Sequence, residues 1–536
     1  MNRKIKVLLI TALFLFTLYL WTLPFQKNRM PYGEVDAGSH FTVGDYMAET
    51  DKSVYVLPYF IDKRYGTDNF FSPHHLWYHP PYHVNFAIMQ IFGGERILPV
   101  FLFNAILCSI IVLISYFVLE RLFGFWVAFL SSLLFVFSMR DIMVFLWGQW
   151  PQQISYFYTP LVLYVFYKYV CSYLDGNTKP VYAYIFAVLL GVNFYLHPVG
   201  SFHTIVALVF FSLFLLIKER KIPFSFKHIS VCALIFLLML GIFPLQTASV
   251  FGQMGGSSEE EKAKSPLYHD FGSFFSWFAW KELYVSWGTQ PEAYFDYDAM
   301  NGGYWTLPLL LIGLFFILFR RERKDLLLLS FLLGVYFMIH MIVFMGSGRP
   351  ERSLAASAHV FYPLAAVGLL SIPFLLGLVF KIKKRYKNYI KYVLIGLFVF
   401  MVFSSNFKPA YSQLKGAYEG IVRITPTQYK AAEAIRESSI PMGANITGLG
   451  ILPMVRQQKM RWMWFVSHRY IRPYKGSLDL GGKPIYVMVD YSDLILLRQD
   501  PTYAEELRKL QAFEEQELVN GSLVVNHELI RVYKLG

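Results

Sequence analysis

Tyr32-Gly-Glu-Val-Asp36-Ala-Gly-Ser-His40-Phe-Thr-Val-Gly-Asp45-Tyr46 follows closely on an apolar run that ends at Phe25. A greasy segment that hands over to one bearing acids and His reads as a membrane span entering an aqueous loop. The run begins after Met1-Asn-Arg-Lys-Ile-Lys6. A basic start and an apolar middle resemble a secretory signal. The run is long, however, and Trp21-Thr-Leu-Pro-Phe25 is no small-residue cleavage site. It therefore reads as a retained span with its N-terminus in the cytoplasm.

Further apolar runs lie at roughly 97–119, 123–138, 154–172, 181–196, 201–217, 229–249, 304–319, 326–346, 354–380 and 390–406. With the first they make about eleven spans of the length a bilayer needs. Threading outward from a cytoplasmic N-terminus puts Lys179, the Lys218–Lys227 loop, Arg320-Arg-Glu-Arg-Lys324 and Lys381-Ile-Lys-Lys-Arg385 inside. These are the most basic short loops, as the positive-inside rule requires. The same threading puts 26–95, the turn 139–153, the loop 250–303 and everything after about 407 outside.

Composition agrees. The 536 residues are 55% hydrophobic, 18% aromatic and only 16% charged, with a mean hydropathy of +0.41. Soluble domains carry about 25% charged residues, and disorder needs low hydrophobicity, so both classes are excluded. Cys108, Cys171 and Cys232 lie in or beside apolar runs, which leaves no disulfide framework. The net charge of +13 belongs to the inner loops and does not point to nucleic acid.

The expected fold class is mainly α. A polytopic domain covers 1–406, with a large first outer loop at 26–95 and another at 250–303. An extracytoplasmic soluble α/β domain covers 407–536. In that tail Thr427–Ser438 and Tyr503–Phe513 have helical patterns, while Lys483–Asp490 and Ser522–Tyr533 read as strands.

Polar groups that could carry chemistry collect on the outer side. Asp36 and His40 are four residues apart and share a face if the stretch is helical, with Asp45 roughly opposite. A carboxylate there could act as a general base, hold a divalent cation or cap a helix. The first loop ends in Ser72-Pro-His-His-Leu-Trp-Tyr78-His79-Pro80-Pro81-Tyr82-His83. Its histidines fit no zinc spacing and also suit an interfacial aromatic belt. Asp141 is the acid of the next outer turn, and His197 and His203 flank a hinge between spans. Gly346-Ser-Gly-Arg349-Pro-Glu-Arg352 keeps two arginines where the charge rule disfavours them. An anionic partner or a pair with Glu351 explains them.

In layout, and in the motifs Glu34-Val-Asp36 with Ser39-His40, Tyr78-His-Pro-Pro81 and Asp141, the chain resembles the GT-C superfamily of membrane glycosyltransferases. That superfamily includes protein O-mannosyltransferases, aminoarabinose transferases of lipid A and catalytic subunits of oligosaccharyltransferases. The resemblance implies a sugar donor on a polyprenyl phosphate, with the donor's tail in the membrane lipid. Asp36 matches the first-loop catalytic acid, with His40 beside it. Asp141 matches the acid of the second loop, which together with Asp36 would hold a divalent cation, Mg or Mn. Arg349 and Arg352 match the late basic residue that meets the donor phosphate, and Glu34, Tyr78 and His79 line the acceptor side of the loop. The chain departs from oligosaccharyltransferases at Trp462-Met-Trp-Phe465, which lacks the acid of their Trp-Trp-Asp motif. Asparagine glycosylation is therefore not expected. A protein, glycan or lipid would be the acceptor, at the plasma membrane of a prokaryote. The competing expectations are a glycan ligase, and a transporter or flippase for lipid-linked saccharide. The second needs a polar path through the spans, where only Asn104, Asn193 and His340 stand out.

Overall fold

The computed structural model describes residues 2–33, 35–50, 79–253, 303–344, 355–416, 423–452, 456–476, 478 and 485–536. The chain opens with α1 (Arg3–Trp21), the short α2 (Leu23–Gln26), α3 (Val35–Thr50) and α4 (Pro80–Gly93). Then come α5 (Leu98–Ser109), α6 (Ile111–Phe123), α7 (Phe125–Val136), α8 (Met139–Trp147), α9 (Trp150–Leu174), α10 (Pro180–Leu196), α11 (Pro198–Glu219), α12 (Phe226–Leu240) and α13 (Pro244–Gln253). The bundle closes with α14 (Thr306–Arg320), α15 (Arg323–Phe344), α16 (Ala358–Val379) and α17 (Lys384–Lys415).

The apolar runs of the sequence fall on these helices, with the first split between α1 and α2, 97–119 between α5 and α6, and 229–249 between α12 and α13. Among the described residues, five segments are long and apolar enough to cross a membrane by length and composition: Arg3–Trp21, Leu98–Phe123, Pro198–Glu219, Ala358–Val379 and Lys384–Lys415. Helices α7 and α8 make a sixth if counted together across their 46° bend, and α10, α12 and α14 are apolar but shorter. Large apolar side chains such as Leu8, Ile217, Phe319 and Phe400 stand exposed on the bundle. Water would penalise that surface; lipid accepts it. The molecule is a mainly α, polytopic membrane protein.

The two ends of the bundle differ in chemistry. At one end Lys6 pairs with Glu120 at 2.9 Å, and Arg323 pairs with Asp175 at 2.6 Å and Glu219 at 2.9 Å. Lys218 Nζ donates there to the Arg321 carbonyl at 2.7 Å. At the other end the Trp21 indole donates to the Val136 carbonyl at 3.5 Å, and α3, α4 and α8 gather around it.

The C-terminal region sits on this second end. It runs α18 (Pro426–Glu437), β1 (Asn445–Leu449), α19 (Arg456–Ser467), β2 (Tyr470–Pro473), β3 (Ile485–Asp490), α20 (Ser492–Leu496), α21 (Pro501–Glu517), β4 (Ser522–His527) and β5 (Ile530–Leu535). The sheet order is β2-β1-β3-β5-β4. Strand β1 is parallel to β2 and β3, with Ile446 opposite Ile471 and Tyr486, and β5 runs antiparallel to β3 and β4. Ser522–Tyr533, expected as one strand, is a hairpin that turns at Glu528, whose φ is +51°. Alternating apolar residues continue on both sides of that turn, which hides it from periodicity. Arg423 anchors the region below: its guanidinium donates to the carbonyls of Pro24 at 2.7 Å, Asn28 at 2.7 Å and Met30 at 2.9 Å.

Candidate active site

Asp36 lies half-buried in the first turn of α3, and His40 lies buried one turn on. The helix that the four-residue spacing asked for is there. His40 Nδ1 sits 2.9 Å from His83 Nε2, which ties α3 to α4. Burial pushes the His83 imidazole down to about 3, against a hydrogen bond to the His79 backbone. The His83 ring is therefore neutral near pH 7, and the contact with His40 is a hydrogen bond in which one ring donates and the other accepts. His79 precedes Pro80 at the start of α4 and packs on Phe194, Tyr195 and Phe243.

Helix α8 carries the second acid. Ser138 caps it by accepting from the Asp141 backbone N–H at 3.4 Å, and Gln153 donates to the Asp141 carbonyl at 2.8 Å. The Asp141 carboxylate is buried, and its Oδ2 has no hydrogen-bond partner among the described residues. The helix ends at Gly148, where φ is +84° and a Cβ would lie 2.1 Å from the Ala37 Cβ. The start of α3, beside Asp36, thus meets the far end of α8, and Asp141 stands about 10 Å back along the helix rise. Arg140, next to Asp141, donates to Ser357 Oγ at 2.5 Å. That contact brings α8 to the start of α16, just after the Arg349–Arg352 stretch. Glu34, Tyr78, Arg349 and Arg352 themselves lie outside the described residues.

Asp45 faces away from Asp36 and has its own role. Arg96 Nε donates to its Oδ1 at 2.9 Å and Arg96 Nη2 to its Oδ2; Gln90 reaches Oδ1 at 3.1 Å and His468 Nε2 reaches Oδ2 at 3.0 Å. Burial alone would raise this carboxyl, but the bonds from Arg96 and His468 outweigh it and hold it well below the usual carboxylate range. Arg96 also reaches Glu433 at 3.4 Å and the Val466 carbonyl at 3.1 Å, while Arg436 pairs with Glu49.

Among the described residues, Asp45, Glu49 and His468 are the group of three with ligand atoms close enough for a metal ion. Two guanidinium groups already occupy those carboxylates, so the donor set fits ion pairing better than a cation. Asp36 and Asp141 gain no third His, Cys, Asp or Glu ligand from the described residues.

Several of these residues escaped sequence reasoning. Arg96 is a basic residue at the end of its span that the charge rule threads outward, the same signal that singled out Arg349 and Arg352. His468 and Arg423 gave no local signal, because their partners are hundreds of residues away.

No family model and no curated protein matches the chain. Solved structures do. The apo oligosaccharyltransferase of Archaeoglobus fulgidus matches 95% of this chain and 69% of its own, at 14% identity and a TM-score of 0.56. AglB from the same archaeon, in complex with an inhibitory peptide and a dolichol-phosphate, matches 97% and 72% at 13% identity and a TM-score of 0.56. ArnT from Cupriavidus metallidurans matches 98% and 97% at 10% identity and a TM-score of 0.52. All three are GT-C glycosyltransferases, and what this chain shares with them is the GT-C fold.

Proposed function

We propose that the protein is an integral membrane glycosyltransferase that moves a sugar from a polyprenyl-phosphate-linked donor to an acceptor at the outer face of the membrane. The observation that carries this reading is a half-buried carboxylate, Asp36, on a helix wedged between bundle and sheet domain in a GT-C fold. The dolichol-phosphate held by AglB supports a lipid-linked donor. The amphiphilic donor also suits the layout: its tail stays in lipid, its phosphate at the interface and its sugar among the outer polar groups.

In this reading Asp36 takes the proton of the acceptor hydroxyl. The acceptor oxygen bonds to the anomeric carbon, and the bond from that carbon to the lipid-phosphate oxygen breaks. The lipid phosphate leaves with the electron pair, and Arg349 and Arg352 are assigned to its charge. His40 supports the Asp36 helix, Asp141 is assigned to the acceptor side, and Glu34, Tyr78 and His79 line the loop. General-base catalysis contributes roughly 10²–10⁴-fold. Asp36→Asn is therefore expected to lower transfer from a lipid-linked sugar by at least about 10²-fold, while the protein inserts and unfolds at the wild-type temperature. A fully active Asp36→Asn enzyme would falsify the assignment. Movement of lipid-linked sugar across sealed vesicles without a new glycosidic bond would replace the whole reading with a transporter.

A further inference from the structure

Helix α19 lies along α3 and meets it at three levels. At the entry turn, Trp462 Nε1 donates to the Gly33 carbonyl at 2.9 Å, and Gln458 Nε2 donates to the same oxygen at 2.5 Å. One turn into α3, Gly38 lets the Phe465 ring approach so closely that a Cβ would lie 2.1 Å from it. At the far end His468, just past α19, holds Asp45. The opposite face of α19 is fixed to the sheet domain. Lys459 Nζ reaches Asp493 Oδ1 at 2.5 Å with both side chains buried, and Trp464 packs edge-on against Tyr470 with ring centroids 4.7 Å apart. The Trp462 ring itself is buried against Phe41, Phe101 and Phe465.

The doubly bonded carbonyl belongs to the residue three before Asp36. A carbonyl has two lone pairs, and here two side chains from one helix use them. Apolar packing alone would hold α3 against α19 but leave it free to slide or rotate. Two converging directional bonds fix the height and rotation of the turn that starts the helix. Misplacing a catalytic group by about 1 Å can cost 10²-fold in rate, so such a restraint matters to chemistry more than to stability.

We propose that Trp462, assisted by Gln458, is a positioning residue for Asp36, so that the sheet domain sets the height of the base over the bundle. The proposal rests on Asp36 being the base. Trp462→Phe keeps the ring contacts and removes the N–H; the double variant Gln458→Leu, Trp462→Phe leaves the Gly33 oxygen without either donor. The double variant is expected to lose about tenfold or more in kcat, by the same positional argument. KM for the lipid-linked donor stays at the wild-type value; the unfolding temperature in detergent falls modestly because a buried carbonyl loses its donors, so kcat is compared well below it, and Trp462→Phe alone shows a smaller kcat loss of the same kind. Wild-type kcat in both variants overturns the proposal. So does a raised KM with unchanged kcat, which would mean that the indole touches substrate. Asp36→Asn is assayed beside them. If it is inactive while the Trp462 variants are normal, only the positioning role falls. If it is active, the base assignment falls and the positioning role falls with it.

Discussion

Asp45 shows how one residue is read from its surroundings. Its carboxylate is buried and held by Arg96, Gln90 and His468. Removing one partner of a buried pair leaves the other charge uncompensated, which costs about 3–5 kcal/mol. Asp45→Asn should therefore lower the unfolding free energy by roughly 3 kcal/mol, measured by denaturant titration in detergent. The pH dependence has a definite sign. The folded pKa lies below the unfolded one, so the contribution is full above about pH 4 and is lost as pH falls further. Acidification from pH 5 to pH 3 should lower the wild-type unfolding temperature more than that of Asp45→Asn. At this scale the sequence is informative where partners are local. The shared helical face of Asp36 and His40 follows from their spacing. The joins from His468 to Asp45 and from Trp462 to Gly33 cross 423 and 429 residues, and no local pattern encodes them.

Among elements, the helices of the bundle were legible because a bilayer demands a continuous apolar run and leaves few alternatives. Strand β3 and helix α21 were legible by their periods, whereas the β4–β5 hairpin hid its turn at Glu528. What no period encodes is how closely two elements approach. The end of α8 meets the start of α3 at Gly148, whose positive φ and missing Cβ are both required. Gly148→Ala should destabilise the protein by about 1 kcal/mol or more. It should also depress transfer beyond what its lowered unfolding temperature explains, because it pushes on Ala37 beside Asp36. Normal turnover in a folded Gly148→Ala enzyme would show that this junction is not coupled to the site.

For the molecule as a whole, charge tells one end of the bundle from the other. Exposed loop bases and their acids mark one end, while the His40–His83 pair, Asp36, the buried Arg96–Asp45 pair and the sheet domain collect at the other. The basic loops announced the first end in the sequence; the second end is built from pieces far apart in the chain and became visible only in three dimensions. That construction has a consequence in time. Arg423 grips Met30 across 393 residues, and Trp462 reaches Gly33 across 429. Ribosomes add about 5–20 residues per second, so roughly 20–90 s separate the synthesis of the start of α3 from that of Trp462. A nascent chain stalled before residue 423 should expose the α3 segment to protease, and the full-length protein should protect it; equal protection would count against the brace. On the proposed reading of Asp36 and Trp462, translation would act as a safety catch: the protein would be inserted disarmed, and would act on the lipids around it only once its C-terminal region had folded.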